Sequence, residues 1–282
     1  MSQWNSIVSV EWLKANMQDP NVVIVDCRFV MGDAEAGRQA YESSHIAGAV
    51  YLDLEKDLSG PIEEHGGRHP LPDPATLAHR LSQVGISNAS KVFAYDSQGG
   101  MMASRLWWLL RYLGHEQAAI LDGGWSAWLE AGYPVTAEQT NIVDGTFLAV
   151  VDHAILAEVY HVQNAIQNES VVIIDSRENP RYLGEIEPLD KAAGHIPGAK
   201  NHFWKDSLNG QGLFKRTEEQ AERFADLKEY KEIIVYCGSG VSATPNVLAL
   251  NEAGFTNVKL YAGSWSDWIS YEENPVATGE EK

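Results

Sequence analysis

The chain has 282 residues, room for about two domains of roughly 100–200 residues each, and its 44% hydrophobic and 21% charged composition is that of an ordinary globular protein. Lys and Arg number 21 against 39 Asp and Glu, and the formal net charge of −18 disfavours nucleic acid and anionic membrane as partners and obliges any anionic ligand to find a locally positive site. Two cysteines, Cys27 and Cys237, make no disulfide framework, no run approaches the roughly 18 apolar residues of a membrane helix, and the first residues lack the basic-then-apolar order of a secretion signal, so the expectation is a cytoplasmic protein in a reducing compartment.

In chain order, the pattern predicts a helix over 10–17, a strand over 22–25, a helix over 76–84, a strand over 92–95, a helix over 104–113 and a strand over 119–121. The polar, pattern-free stretch AEQTNIVDG (137–145) reads as a linker. Beyond it come strands over 171–174 and 233–236, helices over 217–227 and 245–253, and a strand over 258–261. Continuous apolar strands separated by helices imply parallel sheets covered on both faces. The fold class is therefore α/β, with one sheet in each half.

The two halves repeat each other. VVIVDCR (22–28) matches VVIIDSR (171–177), HIAGA (45–49) matches HIPGA (195–199), KVFAYDS (91–97) matches EIIVYCG (232–238), and DGGWSAW (122–128) matches AGSWSDW (262–268). Four matches in the same order, all at offsets of 140 to 150 residues, are an internal duplication. The domains are expected at 1–136 and 146–282, joined by 137–145. Repeated residues have structural readings first: Asp26 with Arg28 and Asp175 with Arg177 as local ion pairs, His45 and His195 as core histidines, and Trp125, Trp128, Trp265 and Trp268 as core anchors.

What is not repeated carries the chemistry. The strand over 233–236 delivers Cys237 into a loop, CGSGVSA, followed by a helix with Pro245 in its first turn. Gly238 and Gly240 let the loop curl its amides inward into an anion-binding nest, at the carboxyl end of a strand where ligands of open α/β sheets sit. The matching residue in the first half is Asp96, which cannot act as a sulfur nucleophile, so one half alone is competent. A phosphatase of the strand–loop–helix type needs an arginine six positions after its cysteine to clamp phosphate. Position 243 is Ala243. Nine histidines without ligand spacing predict no metal, and no GxGxxG spacing predicts a nucleotide cofactor. The GRHPLP segment (67–72) reads first as a proline-shaped loop, with Arg68 a secondary candidate to face the cleft, and Cys27 reads as packing.

The paired DxR, HIxGA, active-loop and GxWxxW segments resemble the two-domain rhodanese-type sulfurtransferases over about residues 5–276. The resemblance implies two tandem rhodanese-like domains, an inactive first and a catalytic second, with no cofactor. The CGSGVSA loop is most similar to the CGSGVTA of 3-mercaptopyruvate sulfurtransferases, whereas thiosulfate enzymes often carry Arg-Lys-Gly after the cysteine. It implies sulfur transfer from a small anionic donor through a Cys237 persulfide, onto a thiol (a thioredoxin-like protein or a small thiol) or cyanide, by a monomer. Thiosulfate:cyanide transfer through the same cysteine is the alternative, and a non-catalytic rhodanese-like binding module a lesser one. By resemblance, Gly238, Gly240, Val241 and Ser242 cradle the donor, Arg181 holds its carboxylate, and Ser239 protonates the departing enolate through His45 and an acid, Asp33 or its neighbour Glu35. The family's second arginine aligns with Leu189, in EPLD rather than EPR, leaving Lys191 to compensate or the substrate to bind differently.

Overall fold

The computed structural model describes residues 5–281. Two compact units emerge. The first is built from the chain up to Gly60, Pro72–Asp152 and Gly210–Leu213, and the second from Pro61–Leu71, His153–Asn209 and the chain from Phe214 onward. The division expected at 137–145 is refined accordingly, because that stretch is anchored on the first unit. Thr140 donates to the Ala49 carbonyl at 2.7 Å and the Gly145 amide to the Ser82 carbonyl at 2.8 Å.

Each unit holds a five-stranded parallel sheet. In the first the spatial order is Ile7–Val8, Ala118–Leu121, Lys91–Tyr95, Val22–Asp26, Val50–Tyr51. In the second it is Leu156–Ala157, Val258–Tyr261, Glu232–Tyr236, Val171–Asp175, Lys200–Asn201. Position by position the orders correspond, so the duplicated sequence folds twice into one topology. The central strands are buried over most of their length because helices cover both faces. Helices Met101–Tyr112 and Thr244–Glu252 follow the two equivalent central strands and are almost wholly buried.

The repeated residues take the structural parts expected of them. Arg28 donates to Asp26 with Nη2 at 2.6 Å and to the Ser44 carbonyl at 2.6 Å. Arg177 repeats this on Asp175 at 2.5 Å and on the Gly194 carbonyl at 2.7 Å. All four side chains are buried, and a charge so placed is tolerable only when paired and hydrogen-bonded. His45 meets the Tyr41 carbonyl through Nδ1 at 2.6 Å and stacks on the Tyr41 ring. His195 does the same with Tyr182, at 2.7 Å. Trp128, Trp265 and Trp268 are wholly buried, while Trp125 is partly buried beneath the Arg28 guanidinium. No helix among the described residues is long and apolar enough to cross a membrane.

Candidate active site

The strand Glu232–Tyr236 ends at the buried Cys237, and the loop turns at once. Gly240, at φ +74°, makes that turn, and a Cβ there would stand 2.0 Å from the Ala262 carbonyl oxygen, so no other residue fits. The turn brings the Gly240 amide back to donate to Cys237 Sγ at 3.2 Å. The amides of Ser239, Val241, Ser242 and Ala243 find no acceptor among the described residues.

The first unit shows what such a loop holds. At the equivalent place the Asp96 carboxylate accepts from the amides of Gln98, Gly100, Met102 and Ala103 at 2.7–2.9 Å. The Asp96 carboxyl fills that cradle with the protein's own side chain. With cysteine in its place, the shorter side chain leaves the donors open for the negative charge of a thiolate, a persulfide or a bound sulfur.

A second turn supports the first. The Cys237 amide donates to Ser264 Oγ at 3.1 Å, and the same hydroxyl lies 4.0 Å from Sγ. Ser264 is the one non-glycine residue with positive φ among those described, at 57°. Its counterpart Gly124 has φ 53°. The second unit accepts backbone strain that glycine would relieve, and places a hydroxyl beside Cys237 Sγ.

The loop Pro61–Leu71 completes the site. Gly66 and Gly67 let it lie on the turn at Gly263: the Gly66 amide donates to Asp267 at 2.7 Å and the Arg68 amide to Ser266 Oγ at 3.1 Å. This delivers His69, whose Nδ1 is 2.8 Å from Ser239 Oγ. It also delivers Arg68, which is ion-paired with Asp190. A Cβ built on Gly238 would lie 3.0 Å from Arg68 Nη2 and 3.5 Å from Arg181 Nη2. The guanidinium groups of Arg68 and Arg181 therefore converge on the residue next to Cys237.

Arg181 is fixed in turn. It donates to Glu187 through Nε at 3.2 Å and Nη2 at 2.7 Å, and Nη2 is 3.3 Å from Asp190. Burial raises both carboxyls, but for Glu187 the Arg181 guanidinium and the amides of Leu189 and Asp190 outweigh it and hold the group below its ordinary value. For Asp190 burial prevails over the pull of Arg68, and the group is pushed up.

Among the residues singled out from sequence, Cys237, Gly238, Ser239, Gly240, Val241, Ser242 and Arg181 share this one locality. His45 and Asp33 do not take the relay position. The hydrogen-bond partner of Ser239 is His69; His45 is engaged in the core of the first unit with Tyr41, and Asp33 is exposed, its carboxylate accepting from the amides of Glu35 and Ala36 at the start of a helix. Lys191 is exposed and makes no ion pair among the described residues; the second guanidinium near Gly238, beside that of Arg181, belongs to Arg68. Sequence reasoning missed His69, Asp190 and Ser264, and gave Arg68 only as a secondary candidate for the cleft. The substitution of GGW by GSW between the halves signals Ser264; nothing in a linear reading ties His69 to a serine 170 residues away. Cys27 is buried, and burial together with the charges of Asp26, Asp96 and Asp57 pushes its thiol well up, which suits packing rather than reactivity.

Comparisons with known proteins identify the family. The model of the rhodanese-like domain matches twice, at residues 9–131 and 158–271. A probable 3-mercaptopyruvate sulfurtransferase of Pseudomonas aeruginosa is 40% identical, over 97% of this chain and 98% of its own. The thiosulfate sulfurtransferase of Cricetulus griseus is 32% identical, over 94% and 92%. The crystal structure of the 3-mercaptopyruvate sulfotransferase SseA of Escherichia coli superposes with a TM-score of 0.81 at 33% identity, over 93% of this chain and 99% of that one.

Proposed function

The chain belongs to the rhodanese-like family and is a sulfurtransferase, and from that premise we propose that its donor is 3-mercaptopyruvate and its sulfur carrier is Cys237. The observation that carries this reading is the pair formed by Ser239 and His69 at 2.8 Å, two residues beyond a cysteine whose neighbour Gly238 has no charge. Expulsion of pyruvate leaves an enolate that must gain a proton, whereas sulfite departs from thiosulfate with its electron pair and needs none. A positioned proton carrier beside the sulfur serves the first leaving group only.

The Cys237 thiolate attacks the donor sulfur, a sulfur–sulfur bond forms, and the carbon–sulfur bond breaks with its electrons passing to the pyruvate enolate. The proton of the donor thiol moves to the enolate carbon through Ser239 and His69, so thiolate plus mercaptopyruvate becomes persulfide anion plus pyruvate. The open amides of Ser239, Val241, Ser242 and Ala243 and the Gly240 amide hold the persulfide charge. A thiol acceptor (a small thiol or a thioredoxin-like protein) or cyanide then removes the outer sulfur and restores the thiolate. We place this chemistry in a monomer in a reducing cytoplasm, in keeping with two free cysteines.

Mass spectrometry tests the carrier. Exposure to mercaptopyruvate adds one sulfur, about 32 Da, as a covalent intermediate requires, and Cys237→Ser abolishes the gain. Steady-state kinetics test the donor: kcat/KM for mercaptopyruvate exceeds that for thiosulfate on one preparation, and the reverse order would return the assignment to thiosulfate.

A further inference from the structure

We infer that Arg68 is the second arm of an anion clamp whose first arm is Arg181, and that Asp190, bridging the two, sets the clamp's charge so that it holds a monoanionic carboxylate in preference to a dianion. The inference rests on the sulfurtransferase reading and adds the residues that determine its donor specificity.

Three observations support it. First, the donors that face Gly238 are those left over. Arg181 spends Nε and Nη2 on Glu187 and Asp190, and Arg68 spends Nη1 on Asp190. Arg68 Nη2 and Arg181 Nη1 have no acceptor among the described residues, and both approach the point a Gly238 Cβ would occupy, at 3.0 and 3.7 Å. Two guanidinium edges meeting at one place form a fork for a planar carboxylate. Second, the bridge is built rather than incidental. The Asp190 side chain is 4% exposed, each of its oxygens faces a different arginine, and its amide donates to Glu187 at 3.1 Å. Third, the Arg68 side chain is 30% exposed and borders, with Asp190, Lys191, Glu63 and Glu64, a cavity of about 270 Å³, so this end of the clamp is open to solvent.

The charge count gives the specificity. Arg68, Arg177 and Arg181 face Asp175, Glu187 and Asp190 in one paired network. With Asp190 ionised the network is neutral, and the Cys237 thiolate adds one negative charge. A monoanion approaching the two arginine edges meets far less repulsion than a dianion does. Removing the Asp190 charge leaves one arginine unbalanced and favours the dianion.

The test uses the full chain, with Arg68→Met, Arg68→Lys, Arg181→Met and Asp190→Asn. For each variant, KM and kcat are measured with mercaptopyruvate and with thiosulfate, and the sulfur gain is measured by mass. Loss of the Arg68 fork raises KM for mercaptopyruvate roughly ten- to a hundredfold, as expected for hydrogen bonds to a charged group, with a smaller change in kcat. Arg68→Lys, which keeps the charge without the fork, falls between. Asp190→Asn, which keeps an acceptor for Arg68, raises the ratio of thiosulfate to mercaptopyruvate kcat/KM about tenfold, equivalent to about 1.4 kcal/mol. An Arg68→Met protein that folds with unchanged KM while Arg181→Met loses affinity overturns the second arm. An unchanged donor ratio in Asp190→Asn overturns the charge-setting role. If the wild-type chain gains no sulfur from either donor, the donor and carrier reading falls; if it gains sulfur and the variants match it, the clamp alone falls.

Discussion

Ser239 and His69 make a statement about protons that a single substitution can check. Ser239→Ala removes the hydroxyl that meets His69 Nδ1 at 2.8 Å while leaving the loop amides in place. A positioned proton carrier contributes roughly a hundredfold or more. The ratio of mercaptopyruvate to thiosulfate turnover is therefore expected to fall about that much, because sulfite leaves without a proton. Equal losses on both donors would contradict the proton role. Glu187 offers a different check. It pairs with Arg177 and Arg181, and its side chain is 4% exposed. Breaking such a buried pair costs about 3–5 kcal/mol, so Glu187→Gln is destabilised by that order near pH 7 in urea unfolding. Although burial raises it, Arg181 holds the folded carboxyl below its ordinary value. The stabilisation is thus fully present above the unfolded value of about 4.3 and is lost as pH falls through the lowered one. The gap between wild type and Glu187→Gln should narrow across that acid window, and a gap constant from pH 6 to pH 2 would refute the linkage.

At the scale of elements, the strand–loop–helix cradle occurs twice, with Asp96 in one copy and Cys237 in the other, and the first explains the second. Four amides end on Asp96 in the first unit. Asp96→Ala leaves them buried and unpaired, at about 1–3 kcal/mol for a single unsatisfied group. Urea unfolding of the full chain should show a loss of about 3 kcal/mol or more, with a smaller loss for Asp96→Asn, which retains one acceptor. A loss below 1 kcal/mol for Asp96→Ala would mean that the cradle does not need its anion. This cradle was legible in the sequence because Val22–Asp26, Lys91–Tyr95, Val171–Asp175 and Glu232–Tyr236 are continuous apolar strands with a repeat to check them against. The edge strands Ile7–Val8, Val50–Tyr51, Leu156–Ala157 and Lys200–Asn201 were not, being two residues each, too short for any period to register. The repeat also misdirects: HIAGA and HIPGA make a core histidine conspicuous, whereas His69 stands in a loop without a counterpart, where a Gly-Gly pair and a proline read as a turn and nothing more.

For the whole molecule the consequence lies in how the chain is shared. Residues 61–71 precede most of the first unit in sequence yet belong to the second, and 210–213 make the opposite exchange. The unit that holds Cys237 is therefore not the C-terminal half: residues 146–282 contain Cys237, its cradle, Arg181 and Asp190, and lack Arg68 and His69. A chain cut to 146–282 should lose mercaptopyruvate turnover by at least the roughly hundredfold attributed to the proton carrier alone, and co-expression with residues 1–145, which carry the missing loop, should restore it. Because truncation also removes packing, the full-length double variant Arg68→Gln/His69→Gln provides the same chemistry without the cut. It should lower the thermal transition, because His69 is buried and Arg68 pairs with the buried Asp190, and a folded preparation should lose mercaptopyruvate turnover to the level of the fragment. Turnover near that of the intact chain in either protein would place the proton carrier and the second arginine elsewhere, and would return the active site to the C-terminal half alone.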